Sequence, residues 1–207
     1  MKRTQTVFVV DDDEGIRDGL SMLLSTVGQN CRTFGSAAEY LEQYDPDDRG
    51  CLVLDIRMPR MSGLELQEEL NARESSLPII FITGHGDIPM AVEAMRRGAL
   101  DFVRKPFREQ DLLDRINEAL DVEQLRRKRS VEQSELAERI GSLSQREKMV
   151  FEAVADGAMN KTIGFDLGIS ERTVEVHRAN VMKKLGARTL ADLIRIKIAS
   201  ESASSLE

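Results

Sequence analysis

Five short apolar runs, each followed by an amphipathic stretch, constrain this chain more than any other feature. The runs are TVFVV (6 to 10), CRTF (31 to 34), CLVL (51 to 54), PIIFI (78 to 82) and DFV (101 to 103). Each has the length and the β-branched or aromatic content of a strand. Between them, Ile16, Leu20, Leu23, Leu24 and Val27 recur at helical spacing, as do Leu64, Leu66 and Leu70, then Ala91, Ala94 and Met95, and finally Leu112, Ile116 and Leu120. Strict βα alternation predicts an α/β domain, a doubly wound five-stranded parallel sheet with helices on both faces.

Nothing in residues 142 to 207 resembles a strand. Four helical stretches are expected there, about 144 to 155, 159 to 167, 171 to 186 and 189 to 199, with Gly157, Gly168 and Gly186 marking their ends. This second part reads as a small all-α domain over 142–200. Residues 108 to 140 hold no Pro or Gly, so the last helix of the first domain (1–120) is expected to continue as a helical linker over 121–141. Its apolar positions Leu112, Ile116, Leu120, Leu125, Val131, Leu136 and Ile140 hint at a packed seam but do not sustain a heptad. The tail, 201–207, has no apolar stripe and is expected to be disordered.

A chain of 207 residues with 41% hydrophobic content can build two modest cores. No stretch approaches the roughly 18 uncharged apolar residues that a membrane helix needs, so a soluble cytoplasmic protein with no membrane partner is expected. Cys31 and Cys51 stand apart without CxxC or Cys/His spacing, and both read as buried thiols.

The net charge of −7 is unevenly spread. Residues 1 to 120 hold 14 Lys and Arg against 22 Asp and Glu, whereas residues 142 to 207 hold 10 against 9. Between positions 172 and 188, Arg172, Arg178, Lys183, Lys184 and Arg188 face only Glu175, a local +4 where an anionic partner would sit.

Asp11, Asp12 and Asp13 follow the first strand directly and Asp55 closes the third. In a doubly wound sheet the carboxyl ends of the strands line one crevice, so these acids should meet there. Clustered carboxylates repel unless a cation joins them. Mg²⁺ fits, because it takes hard oxygen ligands and is held by one or two carboxylates with water and phosphate. Thr83 at the end of the fourth strand offers a hydroxyl and Lys105 after the fifth an ammonium, which together with Asp55 as nucleophile would suit phosphoryl transfer. Any one of these residues alone would be an ordinary loop or cap residue, and Asp13 or Glu14 is expected to start the first helix. In Lys105-Pro106 a cis peptide would fix the lysine's aim.

The segments VVDDD, LDIRMPRMSG, ITGHGD and RKPF resemble the signature segments of receiver domains in two-component signalling, across essentially residues 5 to 120. The resemblance implies a flavodoxin-like receiver in which Asp11 and Asp12 are the acidic Mg²⁺ pair, Asp55 the phosphoacceptor, and Arg57 a metal ligand through its backbone carbonyl. Thr83 and Lys105 would bind the phosphoryl group, and Phe102 would hold the aromatic switch position, although a core aromatic is an equally good reading of Phe102. His85 would flank the phosphate, or be a solvent-facing loop residue.

The segment LSQREKMVFEAVADGAMNKTIGFDLGISERTVEVHRANVMKKLGA resembles the LuxR-type helix-turn-helix, and its pairing with the receiver resembles the NarL/FixJ family, closest to the FixJ-type branch. The implied recognition helix begins near Glu171 with Ser170 as its N-cap. Ile163, Leu167, Ile169, Val174, Val181 and Leu185 would form the shared apolar face. Glu175, Val176 and Ala179 would approach base edges, while Lys161, Thr173, His177, Arg178 and Lys183 would contact phosphates. Glu175 either accepts from cytosine N4 or is a solvated charge, and His177 could equally pack within the domain.

The family implies a transcriptional regulator rather than an enzyme beyond its own phosphotransfer and dephosphorylation. A histidine kinase would phosphorylate Asp55. Homodimerisation and binding to double-stranded promoter DNA would follow, with RNA polymerase a further partner and activation the expected outcome; relief of interdomain inhibition is the alternative coupling. A phosphohydrolase reading fails because no second carboxylate stands two residues after Asp55.

Overall fold

The computed structural model describes residues 4–84 and 88–204. Its first compact unit contains β1 (Thr6–Val10), α1 (Glu14–Thr26), β2 (Asn30–Phe34), α2 (Ala37–Glu42), β3 (Gly50–Asp55), α3 (Gly63–Ala72), β4 (Ile79–Thr83), α4 (Ile88–Arg96) and β5 (Asp101–Arg104). The strands form one all-parallel sheet in the order β2-β1-β3-β4-β5, as the alternation requires.

Period-2 side-chain alternation divides the strand residues between two cores. Phe8, Val10, Leu52, Leu54 and Phe81 face α2, α3 and α4 through Tyr40, Leu66, Leu70, Ala91 and Ala94. Val7, Val9, Cys51, Val53, Ile80 and Ile82 face α1 and the following helix through Leu20, Leu24, Leu112 and Ile116. β3 is buried at every position because it lies in the middle of the sheet. Cys51 shares that burial, which pushes its thiol up to about 12. Cys31, on edge strand β2, is only partly buried; expecting a fully buried thiol overlooked that an edge strand has a neighbour on one side alone.

Helix α5 runs without interruption from Glu109 to Gly141, as the absence of Pro and Gly foretold. Leu112, Ile116 and Leu120 are buried, but the suggested seam stops there, since Leu125 and Val131 are exposed. The first compact unit extends to Arg127, past the expected boundary at 120. Glu123, almost wholly buried, receives hydrogen bonds from Gln5 Nε2 at 2.9 Å and Arg127 Nε at 3.0 Å. Arg127 also donates to the carbonyls of Asp47 and Asp48.

The second unit contains α6 (Gln145–Ala155), α7 (Asn160–Leu167), α8 (Glu171–Leu185) and α9 (Leu190–Ser204). Val150, Phe151, Val154, Ile163, Val174, Val181, Leu185 and Leu193 form its core, with Leu167 and Ile169 packed against it. Gly168 and Gly186 take left-handed conformations at the ends of α7 and α8, where a glycine is least strained. Helix α9 runs to Ser204, so residues 201 to 204 of the tail expected to be disordered are helical, while residues 205–207 lie outside the described residues. Ser and Ala allow a helix to continue even without an apolar stripe.

Candidate functional site

Strand register assembles the first site. β1 and β3 pair in step, with Val10 opposite Leu54, so Asp11 and Asp55 emerge side by side at the carboxyl edge. Asp55 is opposite Ile82, and the next residue, Thr83, is opposite Arg104, which brings Lys105 to the same edge. The Lys105 N–H donates to the Thr83 carbonyl at 2.7 Å, and the Lys105-Pro106 peptide is cis.

The Lys105 ammonium bridges the acids, donating to Asp11 Oδ2 at 2.8 Å and Asp55 Oδ1 at 2.7 Å. The other oxygens are also occupied: Asp11 Oδ1 accepts from the Asp13 N–H and Asp55 Oδ2 from the Arg57 N–H. Burial raises the Asp55 carboxyl above its ordinary value even though Lys105 and the Arg57 N–H oppose the rise. Burial pulls the Lys105 ammonium down, but its bonds to Asp11 and Asp55 outweigh that and leave it raised. The result is a cluster in which one ammonium bridges two buried carboxylates.

Asp12 is exposed beside this cluster. Asp13 caps α1 by accepting from the Gly15 and Ile16 N–H groups, as its position suggested. Thr83 is buried at the end of β4. Phe102 is 36% exposed on β5, so it is not a core aromatic. His85 lies outside the described residues.

Two organising contacts were not evident from the sequence. Arg17 Nη1 donates to the Asp11 carbonyl at 2.8 Å, and Gly63 lies so close to Asp55 that a Cβ there would come within 2.2 Å of the Asp55 carbonyl oxygen. The glycine in RMSG carried part of that signal. The donor set of Asp11, Asp12, Asp55 and a backbone carbonyl is all hard oxygen and suits Mg²⁺. Among the described residues no three Asp, Glu, His or Cys side chains gather into a metal cage.

The second candidate site lies on α8. Val174, Val181 and Leu185 are buried, and a 3.6-residue period then sends Arg172, Val176, Ala179 and Lys183 to the opposite face. Glu175 and Asn180 flank this exposed row, and Val176 is 56% exposed in its middle. Lys161 is exposed on the first turn of α7. Thr173 is half-buried, its hydroxyl 2.8 Å from that of Ser170, whose side chain caps α8.

His177 and Arg178 do not join the outward row. Both are half-buried on the flanks of the packed face, and Arg178 Nη1 donates to Asn160 Oδ1 at 3.2 Å, tying α8 to α7. Lys184 donates to Glu147 at 2.7 Å and to the Ser142 carbonyl, so one charge of the local +4 is structurally engaged. Asn180 was absent from the contacts inferred from sequence, although counting back from Lys183 at helical period places it on the exposed side; Arg172, a member of the basic patch, shares that side.

Comparison with known proteins agrees with this division. Residues 7–117 match the response regulator receiver domain, and residues 141–197 match the bacterial regulatory proteins of the luxR family. The chain is 46% identical to the transcriptional regulatory protein FixJ of Azorhizobium caulinodans over 96% of its length and 94% of that protein. It is 49% identical to nodulation protein W of Bradyrhizobium diazoefficiens, over 92% of its own length and 84% of the relative's. The solved structure of the response regulator StyR is 49% identical with a TM-score of 0.87, covering 94% of this chain and 98% of that one. Full-length FixJ from B. japonicum is 39% identical with a TM-score of 0.61, covering 97% and 99% respectively.

Proposed function

The chain is a two-component response regulator of the NarL/FixJ family, a receiver joined to a LuxR-type DNA-binding domain that regulates transcription, and on that premise we propose that phosphorylation of Asp55 controls its promoter binding. The observation that carries the proposal is the Lys105 ammonium held between Asp11 and Asp55 at the carboxyl edge of the sheet. Asp55 presents a buried carboxylate as nucleophile. Lys105 is within reach of a phosphoryl oxygen once Asp55 carries the group, and the Thr83 hydroxyl closes the same edge.

Receiver domains as a family use Mg²⁺ for phosphorylation. Here Asp11, Asp12, Asp55 and the Arg57 carbonyl would hold it, and its chemistry would be neutralisation of the transferring phosphoryl charge. Asp11 keeps its carboxylate aimed by accepting from Asp13, and Arg17 fixes the backbone beneath it. The phosphodonor in the cell is a sensor histidine kinase.

Phosphorylated receiver then pairs with a second copy through α4, β5 and α5. Val92 and Met95 on α4 and Phe102 on β5 support this because they expose apolar surface on those two elements. Paired α8 helices would enter successive major grooves, with Val176, Ala179 and Glu175 at base edges and Lys161, Thr173 and Lys183 at phosphates. Double-stranded promoter DNA is thus the target, RNA polymerase the further partner and transcription activation the output; relief of interdomain inhibition is the alternative coupling. Sedimentation with acetyl phosphate and Mg²⁺ tests the scheme. A shift from monomer to dimer, absent in Asp55→Asn, is expected, and a phosphorylated monomer that binds promoter DNA with raised affinity would refute dimerisation.

A further inference from the structure

The loop from Asp55 to α3 contains a residue in an unfavourable conformation. Arg60 has a φ of 70°, and the Met61 N–H donates to the Pro59 carbonyl at 2.9 Å, closing a three-residue turn around it. A γ-turn with positive central φ is rare and strained, and glycine would occupy it with least strain. The surroundings enforce the turn. The Arg57 N–H is held by Asp55, the Gly63 N–H by the Ile56 carbonyl, and Ser62 by its capping box with Glu65, while Met58 and Met61 pack into the core.

Into this position the sequence places a long cation whose side chain contributes nothing to that anchoring. Arg60 is exposed, and among the described residues no hydrogen bond or ion pair engages its guanidinium. It stands five positions after Asp55, in the loop that leaves the carboxyl edge of the sheet for α3, the edge where Asp11, Asp12 and Asp55 gather, in a domain whose first 120 residues carry 14 basic against 22 acidic side chains. One Lys105 ammonium compensates only part of the charge of those acids, so an anionic donor approaching them meets repulsion that an exposed cation in this loop would offset.

We propose that Arg60 is an electrostatic docking residue for the phosphoryl donor, drawing a dianionic phosphoryl group toward that edge before Asp55 reacts. The proposal rests on Asp55 as phosphoacceptor. In the step it serves, an Asp55 carboxylate oxygen forms a bond to phosphorus while the bond from phosphorus to the donor oxygen breaks. With acetyl phosphate, acetate departs carrying the electron pair, and no proton is needed. Arg60 is a positioning residue that touches the donor's charge and takes no part in bond exchange.

The test follows phosphate uptake by full-length protein with Mg²⁺, read by intact mass, for wild type, Arg60→Gly and Arg60→Lys. Acetyl phosphate, a dianion, and phosphoramidate, a monoanion, are the two donors. At low salt Arg60→Gly is expected to take up phosphate from acetyl phosphate about fivefold more slowly, on the scale of one unit charge near a dianion, with a flatter salt dependence. Arg60→Lys keeps most of the rate, and the deficit is smaller with phosphoramidate. Release of the turn also raises the thermal midpoint of Arg60→Gly. Wild-type rate and salt dependence in Arg60→Gly would overturn the proposal. So would an equal loss with both donors at every salt concentration, which would mark a distorted loop. A wild type that takes up no phosphate would overturn the Asp55 reading itself, and this inference with it.

Discussion

The Lys105 ammonium lies 2.7 Å from Asp55 Oδ1 while the same nitrogen holds Asp11 Oδ2 at 2.8 Å, so one cation bridges two buried acids. Lys105→Ala leaves those acids facing each other without compensation. A loss of about 2 kcal/mol is expected, reduced from the fully buried case because the lysine is partly exposed. Chemical denaturation of the receiver unit measures it, and unchanged stability would show that the acids find other compensation.

Asp55→Asn should act in the opposite direction. A carboxyl raised above its unfolded value favours the folded state below the unfolded pKa, and that contribution is lost as pH rises through the folded value. At neutral pH the charged form is therefore disfavoured by burial, and removing the charge raises the thermal midpoint. The gain should shrink as pH falls toward the carboxylate range, and a midpoint gain independent of pH would contradict the assignment.

A second pH effect belongs to the DNA-binding unit. Lys184 holds the Glu147 carboxyl down at about 2, helped by the Ser144 N–H that completes the capping box of α6. A depressed carboxyl contributes stability above its ordinary value of 4.5, and the contribution disappears as pH falls through the folded value. Thermal unfolding of full-length protein from pH 6 down to pH 3, in the range where this group titrates, should show the second unit losing stability less steeply in Glu147→Gln than in wild type.

Gly63→Ala places a Cβ 2.2 Å from the Asp55 carbonyl and 3.0 Å from Phe81. Because the first contact is with backbone, relief requires moving the loop that carries Arg57. A loss of about 2 to 3 kcal/mol is expected, with slowed phosphate uptake from acetyl phosphate. Calorimetry and intact mass measure the two effects on one sample.

Glu123 and Arg127 form a lock between α5 and the segment before β3. Glu123→Ala should cost about 2 kcal/mol, because it removes the buried acceptor that Arg127 and the Gln5 amide share, although Arg127 keeps the Asp48 carbonyl and Gln5 the Leu120 carbonyl. In a double-mutant cycle, adding Arg127→Ala should cost much less than it does alone. Additivity would mean the lock contributes nothing as a pair.

The sheet was legible in the sequence because each strand is an apolar run ending in a chemically distinctive residue, and parallel topology carries those ends to one edge. Asp11, Asp55, Thr83 and Lys105 therefore met as expected. What stayed hidden depends on contacts remote in sequence. Glu123 reads as one more charge on a polar helix, and only Gln5 and Arg127 make it interior. Arg178 reads as an outward cation for a DNA phosphate, yet its helical phase puts it beside Asn160. The conformation of Arg60 is set by anchors at Asp55, Ile56 and Ser62, so Pro59 alone could not announce it.

The sheet ends on one side at β2 and on the other at β5, and each leaves a row of backbone groups unpaired by a further strand. Such margins are templates on which other molecules can polymerise. Here Arg32 interrupts β2, and Asp101 and Arg104 bracket β5, so a neighbour attempting to extend the sheet would have to desolvate charge. Replacing these side chains with valine is expected to be felt first as lost colloidal solubility rather than as altered signalling.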